Sequence, residues 1–468
     1  MFKSLFYKDL MLLIKDFKFQ VFFIILMILF VLSGIASANQ VKKQQKEYQE
    51  EINSEMKYAQ NNSGRMMYLI ANQGIKYYHT PGISDMVLET KGFPTALGTN
   101  ILHFNPYAYK RTAEGYSFSL NWLFILGLIG SLMVLIFSFD SLSEEKINGM
   151  LKLQTVSGLS RSQIVFSKFL SILTLYLLAI IPAGTVSLLL FSGMTGLFSF
   201  LFLVKTVLFI LFSIPLISFF ILIGIWISLS RHHMSNIVIA LSFWLIFIII
   251  IPQLASIVGK KISPIASHKE MNQRIQDAAS KVHKEYYKKY TFDFGGNGTL
   301  EKGIRSKGFD AADAARAKQA GLNREIYFKQ IETIEKISFL SPYSIFKHVT
   351  EIIFDKNFYR MKKDIDHLQI IQQAIKDEIL EEDKKDPESM HLCYAYAEGD
   401  KYAVMGRGVT PFSDKPYPHP EKLINTDFQE ESLFIKLQHI SLWIFAMIMI
   451  DILLLGTINM IFRKYDIR

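Results

Sequence analysis

The sequence predicts a polytopic α-helical membrane protein: six transmembrane helices carrying two mainly helical (α+β) external domains. Three observations carry that reading. Half of the 468 residues are hydrophobic, 13% are aromatic and the mean hydropathy is +0.23, too apolar for a soluble chain of this length. The charged fraction is still 20%, and those residues gather in two polar blocks between apolar runs. Finally, six runs are long enough to cross ~30 Å of hydrocarbon at about 1.5 Å per residue, with Lys and Arg beside their ends.

Taken in order, residues 1–18 are basic and amphipathic, with Phe2, Leu5, Phe6, Leu10 and Leu13 at helical spacing. They are expected to lie along the cytoplasmic interface. Residues 19–38 form the first span. The rival reading is a signal peptide cleaved near Ala36-Ser37-Ala38. The long leading region, which carries Asp9 and Asp16, favours an uncleaved span. Residues 39–60 contain no Gly or Pro, so the helix is expected to continue until Asn61-Asn62-Ser63-Gly64 stops it. With turns at Thr80-Pro81-Gly82 and Gly92-Phe93-Pro94, residues 39–117 read as the first external domain.

The second span covers 118–139 and the third 169–191, the latter followed by a turn at Ser192-Gly193-Met194. Residues 197–229 combine an interfacial lead with the fourth span, and Lys205 is expected to snorkel outward. Arg231-His232-His233 makes an inner loop before the fifth span, 236–256. Residues 257–435 form the larger external domain. Three helical stripes predict its core: Met271, Ile275, Ala278, Val282 and Tyr286; Tyr327, Ile331, Ile334 and Ile337; Ile365, Leu368, Ile371, Ile375 and Ile379. Residues 391–406 alternate like a hairpin around Glu398-Gly399-Asp400, and Pro411 to Pro420 reads as irregular. The last span is 440–462, before a basic tail, 463–468. The positive-inside rule places both termini and residues 140–168 in the cytoplasm.

Composition also excludes. The net charge of +9 is explained by lysines and arginines beside the spans, and no basic stripe interleaved with aromatics marks a nucleic-acid groove. A single cysteine, Cys393, allows no disulfide within the chain. No G-x-x-x-x-G-K-[ST] loop is present; the cluster Gly295-Gly296-Asn297-Gly298 lacks the lysine and reads as a turn. His232 and His233 are adjacent and the other histidines scattered, so spacing offers no metal-ligand set. No nucleophile-elbow pattern points to an enzyme.

The stretch 140–168, DSLSEEKINGMLKLQTVSGLSRSQIVFSK, is the one around which the chain is organised. Composition alone allows an ordinary basic loop or an amphipathic segment at the membrane surface. Its spacing resembles the coupling segment of type-2 ABC exporter permeases. Glu145, Gly149, Leu151, Leu153, Ser160, Arg161 and Lys168 fall in register with that pattern; Met150 stands for its Thr, Gly158 for its Pro and Ser167 for its Gly. The ending Arg463-Lys464-Tyr465-Asp466-Ile467-Arg468, Asn105-Pro106 and Leu340-Ser341-Pro342 are similar to the branch with a large external domain before the last span.

That resemblance implies a bacterial inner-membrane permease subunit, not itself catalytic, of an ATP-driven exporter. Its partners would be two copies of a cytoplasmic ABC ATPase, which carry the ATP and Mg, a second permease (identical or paralogous) and membrane lipid. Glu144, Glu145, Gly149, Leu151, Leu153, Arg161 and Lys168 would couple the two, with Leu151 and Leu153 buried in an ATPase groove and Glu145 and Arg161 orienting it. The alternative is a mechanotransmission or anchoring scaffold that moves no substrate. Asp451, in the middle of the last span, where an ionised Asp costs ~2.5–3.5 kcal/mol, is either a protonated or backbone-paired aspartate at a helix interface or faces the translocation path or the dimer seam.

Overall fold

The computed structural model describes residues 2–64, 69, 73–82, 84–88, 94–111, 120–229, 233–289, 304–385, 391–392, 416–427 and 430–464. Gly295–Gly298, Cys393, Arg231-His232 and nearly all of the hairpin expected over 391–406 lie outside the described residues. The helices are α1 (Phe2–Lys15), α2 (Phe17–Asn62), α3 (Ser84–Val87), α4 (Trp122–Phe124), α5 (Ser131–Ser138), α6 (Ser143–Ile147), α7 (Met150–Val156) and α8 (Arg161–Thr195). They continue with α9 (Phe200–Ser228), α10 (His233–Leu245), α11 (Ile251–Ile262), α12 (His268–Lys289) and α13 (Ile304–Ser338). Last come α14 (Pro342–Ile353), α15 (Phe358–Lys385) and α16 (Leu433–Lys464). The strands are β1 (Ile75–Tyr78), β2 (Pro94–Thr99), β3 (Tyr107–Arg111) and β4 (Ile424–Asn425).

Among the described residues, six helices are long and apolar enough to cross a membrane: Phe17–Asn62, Trp122–Ile147, Arg161–Thr195, Phe200–Ser228, Ser235–Ile262 and Leu433–Lys464. Asp16 caps α2 by accepting from the Lys18 amide at 2.9 Å, which separates it from α1. As the lack of Gly and Pro predicts, α2 then runs unbroken to Asn62. At about 1.5 Å per residue its second half projects beyond any bilayer. The turn expected at Ser192-Gly193-Met194 falls later, at Gly196, whose φ of +70° is the left-handed stop that a side chain resists. The second and fifth spans each contain a π-helical turn, Ile125–Gly130 and Ile246–Ile250. Hydroxyls satisfy carbonyls in both: Ser131 donates to Gly127 at 2.6 Å and Ser341 to Phe247.

The bundle core runs through aromatic contacts. Phe30 meets Trp122 edge-on at 5.3 Å, Trp122 touches Phe209, and Phe209 stacks on Phe346 at 5.3 Å. Phe346 belongs to α14, which comes from the large polar block yet packs with Ile345, Val349 and Ile352 inside the core of the spans. Ser341 and Pro342 begin it, as N-cap and first residue.

The two polar blocks meet in one sheet of order β3-β2-β1-β4, in which β1 pairs antiparallel with β2 and parallel with β4. One core joins Tyr77, Leu97 and Phe104 to Ile365, Leu368, Ile375 and Ile379 of α15, so the third predicted stripe packs inward. The second stripe is looser: Tyr327 is exposed, because α13 runs past α12 (Asn323 to Met271) and then α11 (Ile334 on Gly259) and turns only part of its girth inward. Lys205 differs from expectation too. It is buried and does not snorkel; its Nζ lies 2.6 Å from Glu430 and 3.4 Å from Asp355.

Candidate functional site

Residues 140–168 form a helical elbow at the end of the bundle opposite the sheet. Within the second spanning helix, α5 ends at Ser138, with Phe139 as its cap, and α6 follows once Glu144 N–H bonds to the Asp140 carbonyl at 2.9 Å. Gly149 has φ +70° and Gly158 φ +87°, and nothing lies within 4 Å of a Cβ built at either. Backbone conformation, not space, therefore calls for glycine there. Proline, fixed near −65°, could not stand at Gly158, which explains that departure from the exporter pattern. Ser160 then starts α8 with a reciprocal cap: its Oγ accepts from Gln163 N–H at 3.3 Å, and Gln163 Oε1 accepts from Ser160 N–H at 2.9 Å.

The elbow is pinned by buried charge. Lys168 Nζ donates to Glu145 at 2.6 Å and to Asp9 of α1 at 3.1 Å. Gln154 donates to the other Glu145 oxygen at 3.1 Å, and Ser167 to the other Asp9 oxygen at 2.9 Å. Arg161 caps the C-terminus of α16: Nη1 donates to the carbonyls of Phe462 and of Arg463, the latter at 2.9 Å, and the guanidinium lies over the Phe462 ring. The elbow thus holds α1, α8 and α16 together.

These contacts change the roles expected of the site residues. Glu145, Arg161 and Lys168 spend their charges inside the chain, so Glu145 and Arg161 are not free orienting contacts. Leu151 is 0% exposed and packs in the chain's own core; it cannot be an anchor in a partner's groove. Leu153 is 68% and Val156 81% exposed, with Ile147 exposed beside them. The reason is helical phase: Leu151 and Gln154 take the inner side of α7, leaving Lys152, Leu153 and Val156 outward. Glu144 is exposed at the rim. Sequence reading missed Asp9, Gln154 and Ser167. The signal for Asp9 was present: an acid on the otherwise apolar stripe of α1, between Leu5 and Leu10.

Asp451 lies elsewhere, at a cavity of about 470 Å³ between α8, α9 and α16. Phe169, Leu211, Pro215, Ile448 and Leu455 line it, and Asp451 Oδ1 is buried there without a hydrogen bond.

A family model described as ABC-2 family transporter protein matches residues 4–372, from α1 through the elbow and five spans into α15. No curated protein and no solved structure matches the chain. With six helices of spanning length and this match over most of its sequence, the chain is a multi-pass membrane protein that belongs to the ABC-2 transporter family, a membrane component not itself catalytic.

Proposed function

We propose that this chain is the permease subunit of an ATP-driven exporter, coupled to a separate ABC ATPase through residues 140–168. The observation that carries this reading is the exposed apolar side of α7, Leu153 and Val156, on an elbow whose opposite side is fixed by buried ion pairs. An apolar face on a rigid mount suits a groove in a partner, and rigidity lets the partner's movement reach α1, α8 and α16 as one body. Two ATPase copies would bind ATP and Mg, and a second permease, identical or paralogous, would complete the complex. The sparsely covered α10, α11 and α16 offer it apolar surface. In this reading the elbow and both termini face the bacterial cytoplasm, and the sheet lies outside the inner membrane.

Leu153→Asp is the test. The side chain touches little of its own chain, so the variant is expected to fold as wild type, within about 0.5 kcal/mol. Co-purification of an ABC ATPase encoded beside this chain and co-expressed with it should fall at least about tenfold, the equivalent of 1.4 kcal/mol. Full ATPase recovery with Leu153→Asp, and with Val156→Asp, refutes the assignment and shifts weight to the anchoring scaffold.

The cavity at Asp451 supports transport over scaffolding. Its walls suit an acyl chain or another apolar body, and one unpaired carboxyl oxygen suits a hydrogen-bond donor on the cargo. An amphipathic, lipid-like cargo entering sideways from the bilayer fits both. Asp451→Leu is expected to cut the lipid-stimulated ATPase rate of the complex in vesicles about tenfold while assembly stays intact. An unchanged rate removes Asp451 from the path.

A further inference from the structure

We infer that Glu335, His348 and Glu351 form a binding site for a divalent transition metal, zinc by ligand chemistry. One ligand atom from each lies within 4.8 Å of the other two. Spacing within the sequence conceals the set: His348 and Glu351 are one turn apart on α14, and the fold brings Glu335 to them from the end of α13. His348 supplies an independent sign. It is 5% exposed, yet its Nδ1 makes no hydrogen bond and faces Glu335 Oε1 at 3.6 Å. A buried imidazole nitrogen that makes no hydrogen bond and faces carboxylates is placed as a metal ligand would be. Phe339, 5.0 Å away edge-on, and Trp443 of α16 hold the ring in place. One imidazole and two carboxylates match three protein ligands of a tetrahedral zinc, with a fourth position for water.

Around a tetrahedral zinc the ligand atoms stand about 3.4 Å apart, so closure from the present separations requires only rotation of the two Glu side chains. Lys347 is the competing cation, its Nζ 3.7 Å from Glu351 Oε1. Half of its side chain is exposed, so it can swing away from Glu351 as the metal enters. The ion would fasten α13, a helix of the polar block, to α14, which is embedded in the bundle. It would stiffen the junction between the two bodies.

Zinc titration of the full chain, purified in detergent without a polyhistidine tag and stripped with EDTA, tests this. One zinc per chain is expected, with a rise in melting temperature on binding. His348→Gln and Glu351→Gln should each weaken binding about tenfold or more. Lys347→Ala should bind zinc more tightly than wild type, a gain that no folding defect can mimic. Zinc affinity unchanged in both His348→Gln and Glu351→Gln overturns the site. So does the absence of saturable binding below about 100 µM in both wild type and Lys347→Ala.

Discussion

Lys168→Met is expected to loosen the elbow and release the ATPase together. Methionine keeps most of the side chain's volume but leaves Asp9 and Glu145, both largely buried, facing each other without a cation. Removing one partner of a buried pair typically costs about 3–5 kcal/mol, because the survivors stay desolvated. That is enough to open α6 and α7 locally while the sheet and α15, which have their own core, remain folded. Limited trypsin digestion should then cut at Lys152 well before any site in the polar blocks, and co-purification of the ATPase should fall. Adding Asp9→Asn and Glu145→Gln to Lys168→Met should recover much of the resistance, since the loss comes from unpaired charge. A useful contrast is Lys18, whose 3.8 Å pair with Asp140 is half in solvent; Lys18→Ala should change little. Trypsin resistance equal to wild type in Lys168→Met rules the network out as the pin.

The same network shows what a sequence can and cannot disclose. The spans were legible because an apolar run of spanning length has few other uses, and the end of α2 because Asn61-Asn62-Ser63-Gly64 follows a polar run, 39–60, free of Gly and Pro. The elbow's residues were picked out as a set through their resemblance to the exporter pattern. Their partners were not, since Asp9 and Lys168 are 159 positions apart and only tertiary structure brings them to 3.1 Å. Leu151 and Leu153 looked equivalent in the pattern. Two residues of helical phase, about 200°, separate them, placing the first in the core and the second on the exposed side. Leu151→Asp is therefore a folding mutation, and Leu153→Asp is the interface probe. For α14, twelve residues of mixed character in a polar block gave no sign that they fill the bundle. Amphipathicity tells which face is buried, not against what.

The largest loss of stability is expected from Asp355→Ala. Asp355 follows α14 and has φ +57°, the one positive φ at a non-glycine among the described residues. The Lys356 amide bonds to the Glu351 carbonyl at 2.8 Å and the Asp355 amide to that of Ile352 at 3.3 Å, a helix stop that ordinarily takes glycine. Glycine would suit the backbone better, so the carboxylate has another reason to be there. Its Oδ2 accepts from Lys205 of α9 and from Lys436 of α16, both buried, and Glu430 is the second acid of the cluster. Alanine would leave two adjacent ammonium groups with one half-exposed acid, a cost of about 3–5 kcal/mol, to which the left-handed backbone adds about 1 kcal/mol. Asp355→Gly separates the terms: it relieves the backbone but removes the charge, and should melt nearly as early as Asp355→Ala. A melting temperature for Asp355→Gly at or above wild type would mean that the residue serves only the turn. The expected result instead makes the carboxylate the tie between α9, α16 and the end of α14, the junction at which the polar block enters the bundle.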